Sequence, residues 1–275
     1  MNSKFLNFGC GNRTCPEPWV NIDFHSCNPH VIQCNLLKGF PFQDSFFDAV
    51  YSSHVLEHFS PQQAAFLLAE SYRVLKPGGI IRIVVPDLEM TCREYVRIMD
   101  AYENDALARR QHQWILIELM DQMVRTTPSG QVPQFKKFVQ DSQDEELKAY
   151  IVSRTQSASW EQSLPRTLSA KIKNLSIGKI REKLIYLYLR FLRLFYPPTL
   201  RSMALDDAPL GEKHRWMYDK FSLREALYKA GFQNPQLMRY DTSQIREFND
   251  CLLDKNEDGS SYKNNSIYME AKRPS

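Results

Sequence analysis

Apolar positions along this chain fall into short runs with two different periods. Phe5, Leu6 and Phe8 form a compact run that ends in Gly9-Cys10-Gly11. Trp19 to Phe24 alternates apolar and polar, Val31 to Leu36 forms a third run, and Phe46 to Ser53 a fourth. These lengths and this alternation predict strands. Ser60-Pro61-Gln62-Gln63 then reads as a helix start, with serine as cap, proline in the first helical position and Gln63 where a capping-box partner belongs. Ala64, Leu67, Leu68 and Leu75 give that helix an apolar stripe, and Lys76-Pro77-Gly78-Gly79 stops it. Ile80 to Val85 is almost wholly apolar, as a strand covered on both faces must be, and Pro86-Asp87 closes it. Strands and helix alternating over short connections from Lys4 to Asp87 predict an α/β fold with a doubly wound parallel sheet.

Beyond Leu88 the period changes. Thr91, Tyr95, Ile98, Met99 and Tyr102 recur at helical spacing, as do Ile117, Met120 and Val124, and Thr127-Pro128-Ser129-Gly130 interrupts them. A basic, aromatic-rich run, Lys179 to Tyr196, ends at Pro197-Pro198. The α/β pattern resumes with a second capping-box pattern at Phe221–Glu225, an apolar stripe through Ala230 and Gly231 as stop. Gln236 to Tyr240 and Ser266 to Ala271 are expected as the last two strands. The polar stretch Asp250 to Asn265 between them reads as a mobile loop.

Composition narrows the function classes. With 275 residues, 43% of them hydrophobic and 24% charged, the chain has the make-up of a globular protein able to bury a full core. A net charge of +3 gives no global reason to expect nucleic acid. The charge is uneven, since residues 161–201 hold nine Lys/Arg against two Glu. No apolar run reaches the roughly 18 residues of a membrane span. A strand-like run begins at Lys4, which is not the pattern of an export signal, so the expected compartment is cytoplasmic and the six cysteines are expected as free thiols. Cys10 and Cys15, near His25 and His30, match no zinc-ligand spacing, so no metal site is expected.

The candidate chemistry gathers at strand ends. Glycines after the first strand allow a ligand close to the backbone. Asp23, at the end of the second, has the position from which an acid accepts ribose hydroxyls, or alternatively caps a turn. In these residues the chain resembles the class I S-adenosylmethionine-dependent methyltransferases, and within them the bacterial type 11 family. The carrying motifs are LNFGCG at 6–11, NIDF at 21–24, GFPFQDSFFDAVYSSHVLEHF at 39–59 and YRVLKPGGIIRIVVPDLE at 72–89; HRWMYDKFS at 214–222 looks like the family's return to the sheet.

The resemblance implies a Rossmann-like, seven-stranded methyltransferase domain over residues 1–87 and 211–275, with a helical cap inserted at 88–210. Its last two strands flank the fifth, one of them antiparallel. It implies S-adenosylmethionine as cofactor: Gly9, Cys10, Gly11 and Asn12 at the methionine portion, Asp23 and Phe24 at the ribose, Asn35 and Leu36 at the adenine, Ser53 and His54 beside the transferred methyl. Two positions depart from the family's pattern, its third glycine being Asn12 here and its adenine-side Asp being Asn35. The absent third glycine of a G-x-G-x-x-G fingerprint also argues against NAD, since position 14 is Thr.

The candidate catalytic residues are His54 and His214, the latter beside Arg215, Trp216 and Tyr218 at the return of the insertion. His58 is read as a structural histidine. The expected reaction is methyl transfer to a small-molecule or glycan-precursor acceptor, at oxygen. The alternatives are a lipid-linked or membrane-associated acceptor, contacted through 179–196, and a scaffold that has lost catalysis. For 179–196 itself the other reading is a buried cap helix or dimer contact whose basic groups reach solvent.

Overall fold

The computed structural model describes residues 3–26, 28–127, 129–155, 184–185, 187–188, 191–192, 195–197, 211–246 and 248–275. Seven strands form one sheet: β1 Phe5–Phe8, β2 Trp19–Asp23, β3 Val31–Gln33, β4 Phe47–Ser53, β5 Leu75–Pro86, β6 Gln233–Met238 and β7 Ser266–Lys272. Their order is β3-β2-β1-β4-β5-β7-β6. The first five run parallel, while β7 pairs antiparallel with both β5 and β6. The expected seven strands with one reversed are therefore present, and both late strands lie on the same side of β5.

Helix α1 (Pro61–Val74) begins as the sequence predicts: the Ser60 hydroxyl accepts from Gln63 N–H, and the Gln63 side chain accepts from Ser60 N–H. Its Leu67 and Leu68 pack with Leu223 and Leu227 of the carboxyl-terminal helix (Lys220–Lys229) against Leu6, Phe8, Ile22, Val50, Ile81 and Ile83 of the sheet. The cap of that helix differs from expectation. Asp219, not Phe221 or Ser222, is the capping residue, and it exchanges bonds with Ser222 three positions on. A carboxylate accepting two main-chain N–H groups outcompetes a hydroxyl placed one turn too late.

The opposite face is covered differently. Phe5, Trp19, Tyr51, Val84 and Tyr268 pack beneath Ile245, Phe248 and Leu253. The stretch read as a mobile loop is thus tied down at its start. Asp254 is buried and accepts from Tyr51 Oη at 2.6 Å and from Arg82 Nε at 2.7 Å. Arg82, itself fully buried, also donates to Glu270 and to the carbonyls of Thr242 and Arg239. Polarity in the sequence misled here because the acid has a buried cation as partner. Cys15 and Cys251 are joined as a disulfide across 236 residues, which corrects the expectation of six free thiols; Cys10, Cys34 and Cys92 are free. No sequence spacing could pair two cysteines that the sheet brings together from its two ends.

No helix follows the glycine turn among the described residues. From Gly11 to Pro18 the chain is turn and coil, held by Asn7 and Asn21. Asn7 Nδ2 donates to Asn21 Oδ1 and to the carbonyl of Arg13, and Asn21 Nδ2 donates to the carbonyl of Cys15. Buried amides satisfy this loop where a helix would satisfy itself.

After β5 the chain enters helices α2 (Leu88–Ala101), α3 (Ala106–Leu116), α4 (Gln122–Val124), α5 (Val132–Asp141) and α6 (Glu145–Thr155), so the helix at Lys220–Lys229 becomes α7. Four of them build small cores of their own, one around Trp114 of α3, Phe135 and Val139 of α5 and Ile151 of α6, another around Ile98 of α2 with Ala108 and Ile115 of α3. Leu88 N–H donates to Tyr218 carbonyl at 2.9 Å, so the chain leaves and re-enters the sheet side by side. Most of Lys179–Tyr196 lies outside the described residues. No described helix is long and apolar enough to cross a membrane.

Candidate functional site

The carboxyl ends of β1, β2 and β4 and the turn after β3 converge on one cavity of about 580 Å³. A larger recess of about 1400 Å³ lies among Phe5, Trp19 and the loop before β2. That recess sits at the amino ends of the strands. Open α/β sheets bind ligands at the carboxyl ends, where loops diverge, so the smaller cavity is the candidate site.

Each strand delivers its residue for a local reason. Gly9 follows β1 with φ +66°, and a Cβ there would sit 2.3 Å from Val55 Cγ2, so only glycine lets the turn pass this side chain. Gly11, at φ +51°, donates its N–H to Asp23 Oδ2 at 2.8 Å. Asp23 Oδ1 accepts from His25 N–H at 3.2 Å. One carboxylate thus fixes the turn after β1 and the turn after β2, which is the turn-capping alternative the sequence left open for it. Asn35 Oδ1 accepts from Leu37 N–H and caps the 3₁₀ turn Leu36–Lys38.

At the end of β4, His54 adopts φ +54°, a left-handed conformation uncommon outside glycine. Its N–H is held by Val84 carbonyl, its Nε2 lies 2.9 Å from Ser266 Oγ, and its Nδ1 lies 3.4 Å from Glu57 Oε1. Burial, first, and the nearby Lys263 ammonium hold this imidazole well below its usual pKa. Glu57 is fully buried, neither of its carboxylate oxygens has a hydrogen-bond partner, and burial pushes its pKa up to about 8. The ring of His58 packs edge-on against that of His214 at 5.0 Å, and its Nδ1 lies 3.0 Å from Lys213 carbonyl.

Of the residues implied for a cofactor, Gly9, Asp23, Phe24, Asn35, Leu36 and His54 line this cavity together. Cys10, Gly11, Asn12 and Ser53 are adjacent in the chain but are not part of its wall. The Ser53 hydroxyl is buried without a partner. His54 and His58 both reach the wall, whereas His214 is buried behind it; Lys213 and Arg215 line it on either side of His214 in the chain. Trp216 is 45% exposed. The residue that sequence reasoning passed over is Glu57. Its only signal was an acid between Leu56 and His58, in the run that follows the fourth strand. Its environment depends on Arg215 and Trp216, whose N–H groups both donate to its carbonyl from 158 and more positions away.

Residues 16–83 match the family of methyltransferase domains. Among solved structures, a SAM-dependent methyltransferase from Archaeoglobus fulgidus aligns at 14% identity over 98% of this chain and 86% of its own, with a TM-score of 0.39. A Bacillus halodurans C-125 protein described as a methyltransferase aligns at 13% identity over 100% and 94%, with a TM-score of 0.38. The structure of PigF with SAH aligns at 9% identity over 98% and 50%, with a TM-score of 0.37. No curated protein matches the sequence.

Proposed function

We propose that this chain, a class I S-adenosylmethionine-dependent methyltransferase, transfers its methyl group to an oxygen of a small-molecule or glycan-precursor acceptor bound at the 580 Å³ cavity. The observation that carries the reading is the meeting of Gly9, Asp23, Asn35 and His54, from four successive strand ends, around one space. Their chemistry fits the cofactor. Each Asp23 oxygen already accepts one main-chain N–H, which leaves lone pairs for ribose hydroxyl donors. Phe24 and Leu36 offer apolar surface to a planar base. Asn35 Oδ1 spends one lone pair on Leu37 N–H and keeps a second for an exocyclic amine.

When bound, S-adenosylmethionine supplies a methyl group already activated by the sulfonium charge. The residues of this chain then have three tasks: to hold the acceptor in line, to exclude water, and to remove the hydroxyl proton. His54 is suited to the last. It is on the cavity wall and neutral, with Ser266 fixing one ring nitrogen and Glu57 beside the other. Glu57 Oε1 lies 3.4 Å from Nδ1, and once ionised, above its raised pKa of about 8, it stabilises a proton received by the imidazole. His214 enters as support for His58 and not as a proton acceptor, since it is buried behind the wall.

Calorimetry with S-adenosylmethionine and purified protein tests the reading: one site per chain is expected, and its absence overturns it. Methyl transfer to hydroxylated acceptors should fall by about 100- to 10,000-fold in His54→Ala, with cofactor affinity nearly unchanged. Equal turnover by His54→Ala would remove this residue from the mechanism.

A second reading, with a lipid-linked acceptor at a membrane surface, is favoured by one observation. Leu184, Ile185, Leu187, Tyr188, Phe191, Leu192, Phe195 and Tyr196 are all exposed, in a stretch whose sequence interleaves them with Lys183, Arg190 and Arg193. Exposed apolar bulk among basic groups suits an anionic interface. Co-sedimentation with anionic vesicles, salt-sensitive and lost on Arg190→Glu with Arg193→Glu, would favour it; no binding at low salt would leave a water-soluble acceptor.

A further inference from the structure

Glu57, His58 and His214 each offer one ligand atom, and these atoms lie within 4.8 Å of one another. Two of the three are neighbours in the chain; the third arrives from the return segment after the helical insertion. The carboxylate is the unusual member. It is 0% exposed, and no N–H or O–H donates to either oxygen; its nearest basic contact is His54 Nδ1 at 3.4 Å. A buried carboxylate without donors is costly, and proteins retain one where a proton or a cation completes it.

The two histidines are arranged for a cation. His58 Nδ1 faces Lys213 carbonyl at 3.0 Å, and a carbonyl only accepts, so Nδ1 carries the hydrogen and the lone pair is on Nε2. Metal-binding imidazoles are fixed by such a bond on their far nitrogen. Two positive groups stand near, Lys263 and Arg125, and Arg125 is compensated by Asp121 at 3.0 Å and Glu212 at 3.9 Å.

We propose that Glu57, His58 and His214 bind a divalent transition-metal ion of the zinc class at the wall of the cavity. Two imidazoles and one carboxylate form a set that zinc and cobalt accept and magnesium does not favour, because magnesium takes oxygen ligands. Bonds of about 2.0–2.2 Å in tetrahedral array set ligand atoms about 3.4 Å apart, so the separations between ligand atoms shorten by up to roughly 1.4 Å on binding. Three protein ligands leave a fourth position for water or for an oxygen of a bound molecule. The ion also ties the end of β4 to the segment 211–216, on which that wall depends. Nothing in this binding requires methyl transfer.

The test uses the full chain, stripped with chelator and dialysed. Zinc is titrated by calorimetry, and cobalt by the visible absorption of its tetrahedral complex. One equivalent is expected, unaffected by millimolar magnesium. His58→Ala and His214→Ala should each weaken it by about 100-fold, with loss of the cobalt band. Glu57→Gln, which matches the protonated carboxyl in shape, guards against variants that fail to fold; it should be folded by circular dichroism and bind at least tenfold more weakly. The proposal is overturned by absence of zinc binding in the wild type, or by binding that survives in folded Glu57→Gln at unchanged strength. Because S-adenosylmethionine is titrated separately, loss of the metal site leaves the methyltransferase reading standing, and the reverse holds as well.

Discussion

Asp23 is the residue on which the cofactor reading turns, and its replacement has a consequence that can be worked from geometry. Its Oδ2 receives Gly11 N–H at 2.8 Å and its Oδ1 receives His25 N–H at 3.2 Å, while the side chain lines the cavity. Asp23→Ala removes a charged acceptor from the ligand and, at the same time, the shared anchor of two turns. A hydrogen bond to a charged group contributes about 1.5–3 kcal/mol. Loss of the ribose contact alone therefore weakens S-adenosylmethionine binding by about 10- to 150-fold. Asp23→Asn keeps one oxygen, which can still hold Gly11 N–H, so its loss should fall between wild type and Ala. Calorimetry at fixed pH measures the affinities, and urea unfolding of the same samples separates lost ligand contacts from lost turn structure. A folded Asp23→Ala protein that binds within about threefold of wild type would refute the assignment of this acid to the ligand.

Three further outcomes follow from the same geometry. Arg82→Met leaves Asp254 and Glu270 buried without their cation, and should destabilise by about 3–5 kcal/mol in urea unfolding; a loss under about 1 kcal/mol would mean the network does not hold the 240–254 segment. Gly9→Ala forces a Cβ to within 2.3 Å of Val55 Cγ2 at φ +66° and should destabilise by about 1–3 kcal/mol, partly relieved by adding Val55→Ala; an unchanged single variant would contradict the turn. Burial and the nearby Asp23 push the Cys10 thiol up to about 12, so at pH 8 only about one in ten thousand is thiolate, whereas Cys92 is exposed. Alkylation of the folded protein followed by peptide mass analysis should label Cys92 well before Cys10, and equal rates would contradict the buried thiol.

Local pattern carried the frame of the sheet. Apolar runs at β1, β4 and β5 and the Ser60–Gln63 box are decided by residues within a few positions of one another, so the chain itself determined them. The glycine turn and the acid at the end of β2 were legible for the same reason, each being a backbone or strand-end requirement. What only the tertiary structure decided involves partners far apart in sequence. Asp254 belongs to the core because Arg82, 172 residues earlier, is buried opposite it. Cys15 meets Cys251 across 236 residues. Glu57 is the sharpest instance. Its neighbours in sequence mark it as one more polar residue after a strand, but the segment 213–216, more than 150 positions later, folds over it and removes it from water. Burial is a property of that closure, and no window of sequence around Glu57 contains it.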